Sequence, residues 1–286
     1  MGLTASPQPD CQETPVADDP LSDFTREPFS HGGITHTVLR SGTGPAVIVM
    51  AEIPGITPKV AEFARRLRDL GLTAVLPDLF GIAGRDPNPQ AHGWPASAGY
   101  MARTVLQICV RREFVVLATG RSSPVTAWLR ALGAHEHERC GGPGIGAVGM
   151  CFTGGFALAM AVDDRLVVPV LSQPSMPVPL TRRQRCGIDI SDEDLATVQQ
   201  RCADGLTVLG LRFRSDRFVP DERFAYLRRQ LGDSFIAVEL ADQDANPEAT
   251  MAPHSVLTEH LIDEPGQPTR SALDTVLTHM RERLLG

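Results

Sequence analysis

Apolar residues along this chain fall into two alternating patterns. The first is the short continuous run: Ala46–Ala51, Thr73–Leu79, Gly144–Met150, Leu166–Leu171, Leu206–Phe213 and Phe235–Leu240. Runs of this length, closed by glycine, proline or charge, predict strands covered on both faces of a parallel sheet. The second pattern has helical spacing, as in Val60, Phe63, Ala64, Leu67 and Leu70, then Phe224, Leu227 and Leu231, then Leu273, Val276, Leu277, Met280 and Leu284. Thr57 before Pro58 predicts a helix start and Gly71 its end. Ser191, followed by three acidic residues, predicts a second start for a helix over 190–203. Helices are also predicted over 99–118 and 122–134, and a Pro/Gly-rich loop over 80–98. Ile34–Arg40 alternates, as an edge strand or hairpin arm does.

Strands and helices alternate without a repeat, which predicts one doubly wound, mostly parallel α/β sheet with helices on both faces. Residues 1–22, rich in Pro, Asp, Gln and Thr, predict a flexible arm. No long linker divides 23–286, which is expected to form a single domain.

Composition narrows the function. Hydrophobic residues make up 42% of the 286 positions, enough for a large core. The formal net charge is −7, so no overall basic field attracts nucleic acid or anionic lipid, and neither nucleic acid nor membrane is expected as a partner. Six cysteines (11, 109, 140, 151, 186 and 202) include no CxxC pair. Reduced thiols in the cytoplasm are the expectation, with no leader peptide and no metal. His135, His137 and Cys140 lie close together in sequence but do not complete a ligand set.

The chemistry centres on Gly149-Met150-Cys151-Phe152-Thr153-Gly154-Gly155, where an apolar run turns abruptly into a small-residue segment. This is the pattern of a nucleophile elbow, with cysteine in the place of serine. A sharp strand-to-helix turn lifts its central side chain clear of the sheet and directs the next N–H, that of Phe152, toward a developing oxyanion. In α/β-hydrolase architecture an acid and then a histidine follow the nucleophile in sequence. Asp216, just past a strand end, and His254, in the loop after the last strand, fit that order. Asp221 competes with Asp216 as a helix cap, Asp242 and Asp244 compete as the acid, and His260 competes with His254. Glu52 follows the first central strand, beside Ile53, whose N–H could complete the oxyanion hole.

At four pieces the chain resembles the dienelactone hydrolase family: Glu52-Ile53-Pro54-Gly55, Gly149 to Gly155, Asp216-Arg217-Phe218-Val219-Pro220, and His254-Ser255. The resemblance implies an α/β-hydrolase fold over roughly residues 25–285. It also implies Cys151 as nucleophile, His254 as base, Asp216 as orienting acid, and Phe152 and Ile53 as oxyanion donors. Glu52 would pair with the resting thiol and help to generate thiolate. The substrate would be a small-molecule ester or lactone, cleaved through a thioester acyl-enzyme without a cofactor. A thioesterase, or a silent scaffold that binds a ligand or partner, are the alternatives. The chain departs from the family pattern in three places. Thr153 stands where glycine is usual, Thr258 stands where a carboxylate-binding arginine is expected, and an insert runs over about 180–203.

Overall fold

The computed structural model describes residues 18–114 and 120–286. Its centre is one eight-stranded sheet. The chain enters through a hairpin, β1 (Thr25–His31) and β2 (Ile34–Gly42). It continues through β3 (Ala46–Met50), α1 (Pro58–Asp69) and β4 (Thr73–Pro77). Three helices follow, α2 (Pro89–His92), α3 (Trp94–Val110) and α4 (Val125–Cys140). Then come β5 (Ile145–Met150), α5 (Gly154–Met160), β6 (Leu166–Ser172), α6 (Arg182–Arg185) and α7 (Asp192–Ala203). The last elements are β7 (Val208–Phe213), α8 (Asp221–Leu231), β8 (Phe235–Leu240) and α9 (Pro268–Leu284).

The strand order is β1-β2-β4-β3-β5-β6-β7-β8, with β1 and β2 antiparallel and all strands from β4 to β8 parallel. The chain winds outward from β3 to β4, then returns to place β5 on the other side of β3. The gap between the ends of β3 and β5 is therefore the topological switch point, where open α/β sheets form their crevices. Both strands are wholly buried, which explains their unbroken apolar sequences. Val47 and Val49 face α1 and α9, while Ile48 faces the layer that holds α4, α5, α7 and α8.

Capping follows the sequence. The Thr57 hydroxyl accepts from the Val60 N–H and Ser191 accepts from the Asp194 N–H. Three readings are corrected. The supposed loop 80–98 already holds α2 and the first turn of α3, because Asn88 caps one helix and Pro95 enters the next. The helix predicted over 122–134 begins at Val125 and runs on to Cys140, so His135, His137 and Cys140 lie in α4. The last residues of the expected arm are held to the body: Leu21 is buried, and Asp19 pairs with Arg65 at 2.6 Å. Residues 1–17 and 115–119, the latter overlapping the end of the helix predicted over 99–118, lie outside the described residues.

A glycine decides whether the sheet can turn into α5. A Cβ on Gly149 would sit 2.3 Å from the Thr153 carbonyl oxygen, which is backbone and cannot swing aside. Gly149→Ala is therefore expected to destabilise the protein by about 2 kcal/mol or more. Urea unfolding with an unchanged m-value would measure it; a variant as stable as the parent would refute the tight turn.

Candidate active site

The turn after β5 puts Cys151 at φ 52°, a left-handed conformation that costs a non-glycine residue on the order of 1–3 kcal/mol. The surrounding structure holds it there through Thr153. The Thr153 hydroxyl accepts from the Met150 N–H at 2.9 Å and donates toward the Met50 carbonyl at 2.8 Å. The Met150 and Ala51 carbonyls lie at 3.0 and 3.3 Å. Met50 pairs with Gly149 in register, so this hydroxyl ties the elbow to the end of β3. Glu52-Ile53 and Cys151-Phe152 thus leave neighbouring strands side by side. Thr153, a departure from the family pattern, is the tie between them.

Asp216 and His254, 38 residues apart, meet at 2.6 Å through Oδ2 and Nδ1, both side chains buried. The second Asp216 oxygen accepts from the Phe218 N–H at 2.9 Å. Because Nδ1–H is committed to the carboxylate, the other ring nitrogen is left for Cys151. Burial alone would disfavour the charged ring. The neighbouring Cys151 sulfur and the Asp216 hydrogen bond outweigh it and hold the imidazole well above its ordinary 6.5. The exposed ring of Phe218 lies edge-on to His254 at 5.6 Å.

The competitors fall elsewhere. His260 supports the histidine loop: its Nδ1 accepts from the Ser255 N–H at 3.1 Å while its Nε2 donates to the Met251 carbonyl at 3.1 Å. That pattern fixes a neutral tautomer, and burial pushes its pKa down. Asp221 accepts from Arg212. Asp242 and Asp244 occupy a turn in which Asp244 accepts the Ala241 N–H.

Glu52 is buried, but it is not engaged as the family pattern implies. One oxygen accepts from Thr258; the other accepts from Ser255 at 2.5 Å and Gln173 at 3.1 Å. All three donors are neutral, and no hydrogen bond joins Glu52 to Cys151 among the described residues. Sequence reasoning missed Gln173, whose φ of 36° is a second strained position on the rim. Its only sequence signal is its place after β6.

Arg223 was missed as well. It is fully buried, and its five N–H groups reach five main-chain carbonyls: Gly187 at 2.7 Å, Pro174 at 2.8 Å, Pro177 at 2.6 Å, and Phe218 and Gln184 at 3.0 Å. These span the loop after β6, the insert and the Asp216 loop. Burial pushes this guanidinium down to about 10, with Asp216 the nearby carboxylate that opposes the shift.

The dienelactone hydrolase family model matches residues 35–172. Over these residues, just under half of its length, the chain is similar to that family. The matched span carries Glu52 and Cys151; Asp216 and His254 lie beyond it. No curated protein matches the sequence. Among solved structures, an α/β hydrolase from Penicillium sp. sh18 is similar with a TM-score of 0.56 and 15% identity, over 92% of this chain and 99% of that one. A dienelactone hydrolase from Anabaena variabilis ATCC 29413 gives 0.54 and 14%, over 92% and 99%. A dienelactone hydrolase-like promiscuous phosphotriesterase from metagenomic libraries gives 0.54 and 18%, over 90% and 98%. At these identities the likeness is one of fold: a dienelactone hydrolase-like, α/β-hydrolase sheet.

Two pH-dependent outcomes follow. In an NMR titration His254 should hold its proton above the ordinary histidine range, and the midpoint should fall in Cys151→Ala, where the sulfur's charge is gone. An unmoved midpoint would show that the two groups do not interact. Asp189 is packed against Gly155 of α5 with one oxygen on Ser123 at 2.6 Å, and burial raises it to about 7. Its folded pKa lies above the unfolded 3.8, so the unfolded state releases its proton first. Stability is then greatest below that value, falls as pH rises toward 7, and is flat beyond. Asp189→Asn should flatten this decline in urea midpoints, and an identical slope would place the effect elsewhere.

Proposed function

We propose that this dienelactone hydrolase-like chain cleaves a carboxylic ester or lactone with Cys151 as nucleophile, His254 as general acid and base, and Asp216 as the group that orients His254. The observation that carries the reading is the buried His254 imidazole bonded to the Asp216 carboxylate at 2.6 Å, with the Cys151 sulfur close enough to raise its pKa. A ring kept protonated beside a sulfur is the resting state of a thiolate–imidazolium pair.

In this scheme the carbonyl oxygen of the substrate points toward the N–H groups of Phe152 and Ile53. The thiolate attacks the carbonyl carbon, and the negative charge that develops on oxygen is stabilised by those donors. The C–O bond to the leaving alkoxide breaks as His254 Nε2–H gives it a proton, leaving a thioester on Cys151 and a neutral imidazole. Water then loses a proton to His254 as it attacks the thioester. The acid leaves and the thiolate–imidazolium pair returns.

Glu52 takes a different part from the thiol partner that the resemblance implies. Ser255, Thr258 and Gln173 hold its carboxylate, and His254 is the group proposed to take the thiol's proton. A free thiol with this task needs a reducing compartment, so the cytoplasm is the proposed location. Among the described residues no helix is long and apolar enough to cross a membrane.

Cys151→Ala and His254→Ala should each lower kcat for an activated ester such as p-nitrophenyl acetate on the order of 10³-fold or more. Iodoacetamide, read by mass spectrometry, should modify Cys151 ahead of the other cysteines. Comparable turnover by Cys151→Ala would remove the nucleophile. Absence of selective labelling would favour a silent scaffold, and a strong preference for thioester over ester substrates would favour a thioesterase.

A further inference from the structure

Helix α3 is amphipathic with its faces reversed. Its buried positions are Ser97, Tyr100, Thr104 and Ile108, three of which carry hydroxyls. Its outward positions include Trp94 at 71% exposure, Leu106 at 64% and Val110 at 70%, with Met101 and Val105 between them. A helix that turns its apolar side chains to water over four turns has an unmet partner.

Charge identifies the partner. The chain carries 34 acidic residues, yet residues 87–112 contain none and hold Arg103, Arg111 and Arg112. Arg103 and Arg112 are exposed and form no ion pair among the described residues, while Arg111 reaches Glu113 at 3.1 Å. The α3 segment itself therefore carries no negative charge and, among the described residues, two unpaired arginines. Bulky apolar side chains flanked by arginine, with a tryptophan at one end, match the boundary layer of an anionic bilayer. A second copy docked two-fold on this face would instead bring the same arginines together.

We infer that α3 is a docking helix that lays its Trp94–Val110 face on an anionic lipid surface. It would lie on such a surface rather than span it. The inward face of the helix ties docking to the site: Tyr100 Oη donates to the Pro54 carbonyl at 3.3 Å, in the loop that begins at Glu52. A docked molecule would present its switch-point rim near lipid, where apolar esters partition. This docking is independent of the hydrolytic reading.

The two tryptophans of the chain supply the probe, because Trp128 is buried and Trp94 is exposed. Vesicles of phosphatidylcholine with phosphatidylglycerol should shift the protein's emission to shorter wavelength and carry it down on sedimentation. Vesicles of phosphatidylcholine alone should bind on the order of tenfold less. Leu106→Asp/Val110→Asp, both at exposed positions and checked by circular dichroism, should abolish sedimentation while leaving turnover of a soluble ester unchanged. Trp94→Phe should remove the spectral shift but keep much of the sedimentation. No binding to either vesicle would overturn the inference, as would undiminished binding by the double aspartate variant. A concentration-dependent dimer that the double variant splits, without vesicle binding, would assign the face to a second copy instead.

Discussion

The site depends on one hydroxyl. Thr153 Oγ1 bridges the ends of β3 and β5, two parallel strands that the winding order makes neighbours and that then diverge. Without that bridge the sharp turn at Cys151 would have to hold an unfavourable φ by packing alone. With it, the strain of the elbow is carried by a buried network whose members each gain a partner. The side-by-side exit of Glu52-Ile53 and Cys151-Phe152 is a consequence, and so is the proposed pair of N–H donors facing one point. A glycine at 153 would leave the Met150 N–H without this acceptor, so the threonine strengthens the elbow.

A second constraint is electrostatic. His254 and Asp216 are buried together, and a buried charge without a partner is costly. The imidazole answers the carboxylate on one side and the sulfur on the other. Arg223 lies behind them, fully buried and without a carboxylate contact, and satisfies its donors with main-chain carbonyls alone. That choice fixes the loop after β6 and the start of the insert against the Asp216 loop, since loss of the guanidinium would leave five carbonyls to find new partners. The wall of the site is thus held by the main chain.

The fold was legible because its signals are local. Continuous apolar runs gave every parallel strand within about two residues, and Thr57-Pro58 and Ser191 gave their caps. The sharp turn at Cys151 was legible from glycine spacing, and the loop positions of Asp216 and His254 from their place relative to strand ends. Other features needed three dimensions. Nothing near Thr153 in sequence announces that Met50 lies beside it, so the residue read as a departure. Arg223 sits in a helix whose charged residues otherwise face water, and only the insert folding over it makes it a buried hub. The partners of Glu52 lie 121, 203 and 206 residues away. The outward exposure of Trp94, Leu106 and Val110 on α3 likewise has no signal in the sequence.

The substitution at 258 alters the electrostatics of the rim in a way that composition cannot reveal. An arginine there would bring a full positive charge to Glu52; the threonine brings a single neutral donor. Glu52 keeps its three hydrogen bonds and has no cation among them. On the proposed reading, a substrate carrying its own carboxylate into this side of the site would meet Glu52 with no intervening charge, at a depth where solvent screens weakly. A neutral, apolar acyl group meets no such cost. The imidazolium of His254 is already engaged by the Asp216 carboxylate and the sulfur. The same physics that makes the nucleophile pair stable thus narrows the acyl group the rim can accept, and an apolar ester is also the kind of molecule that gathers at the lipid boundary inferred for α3.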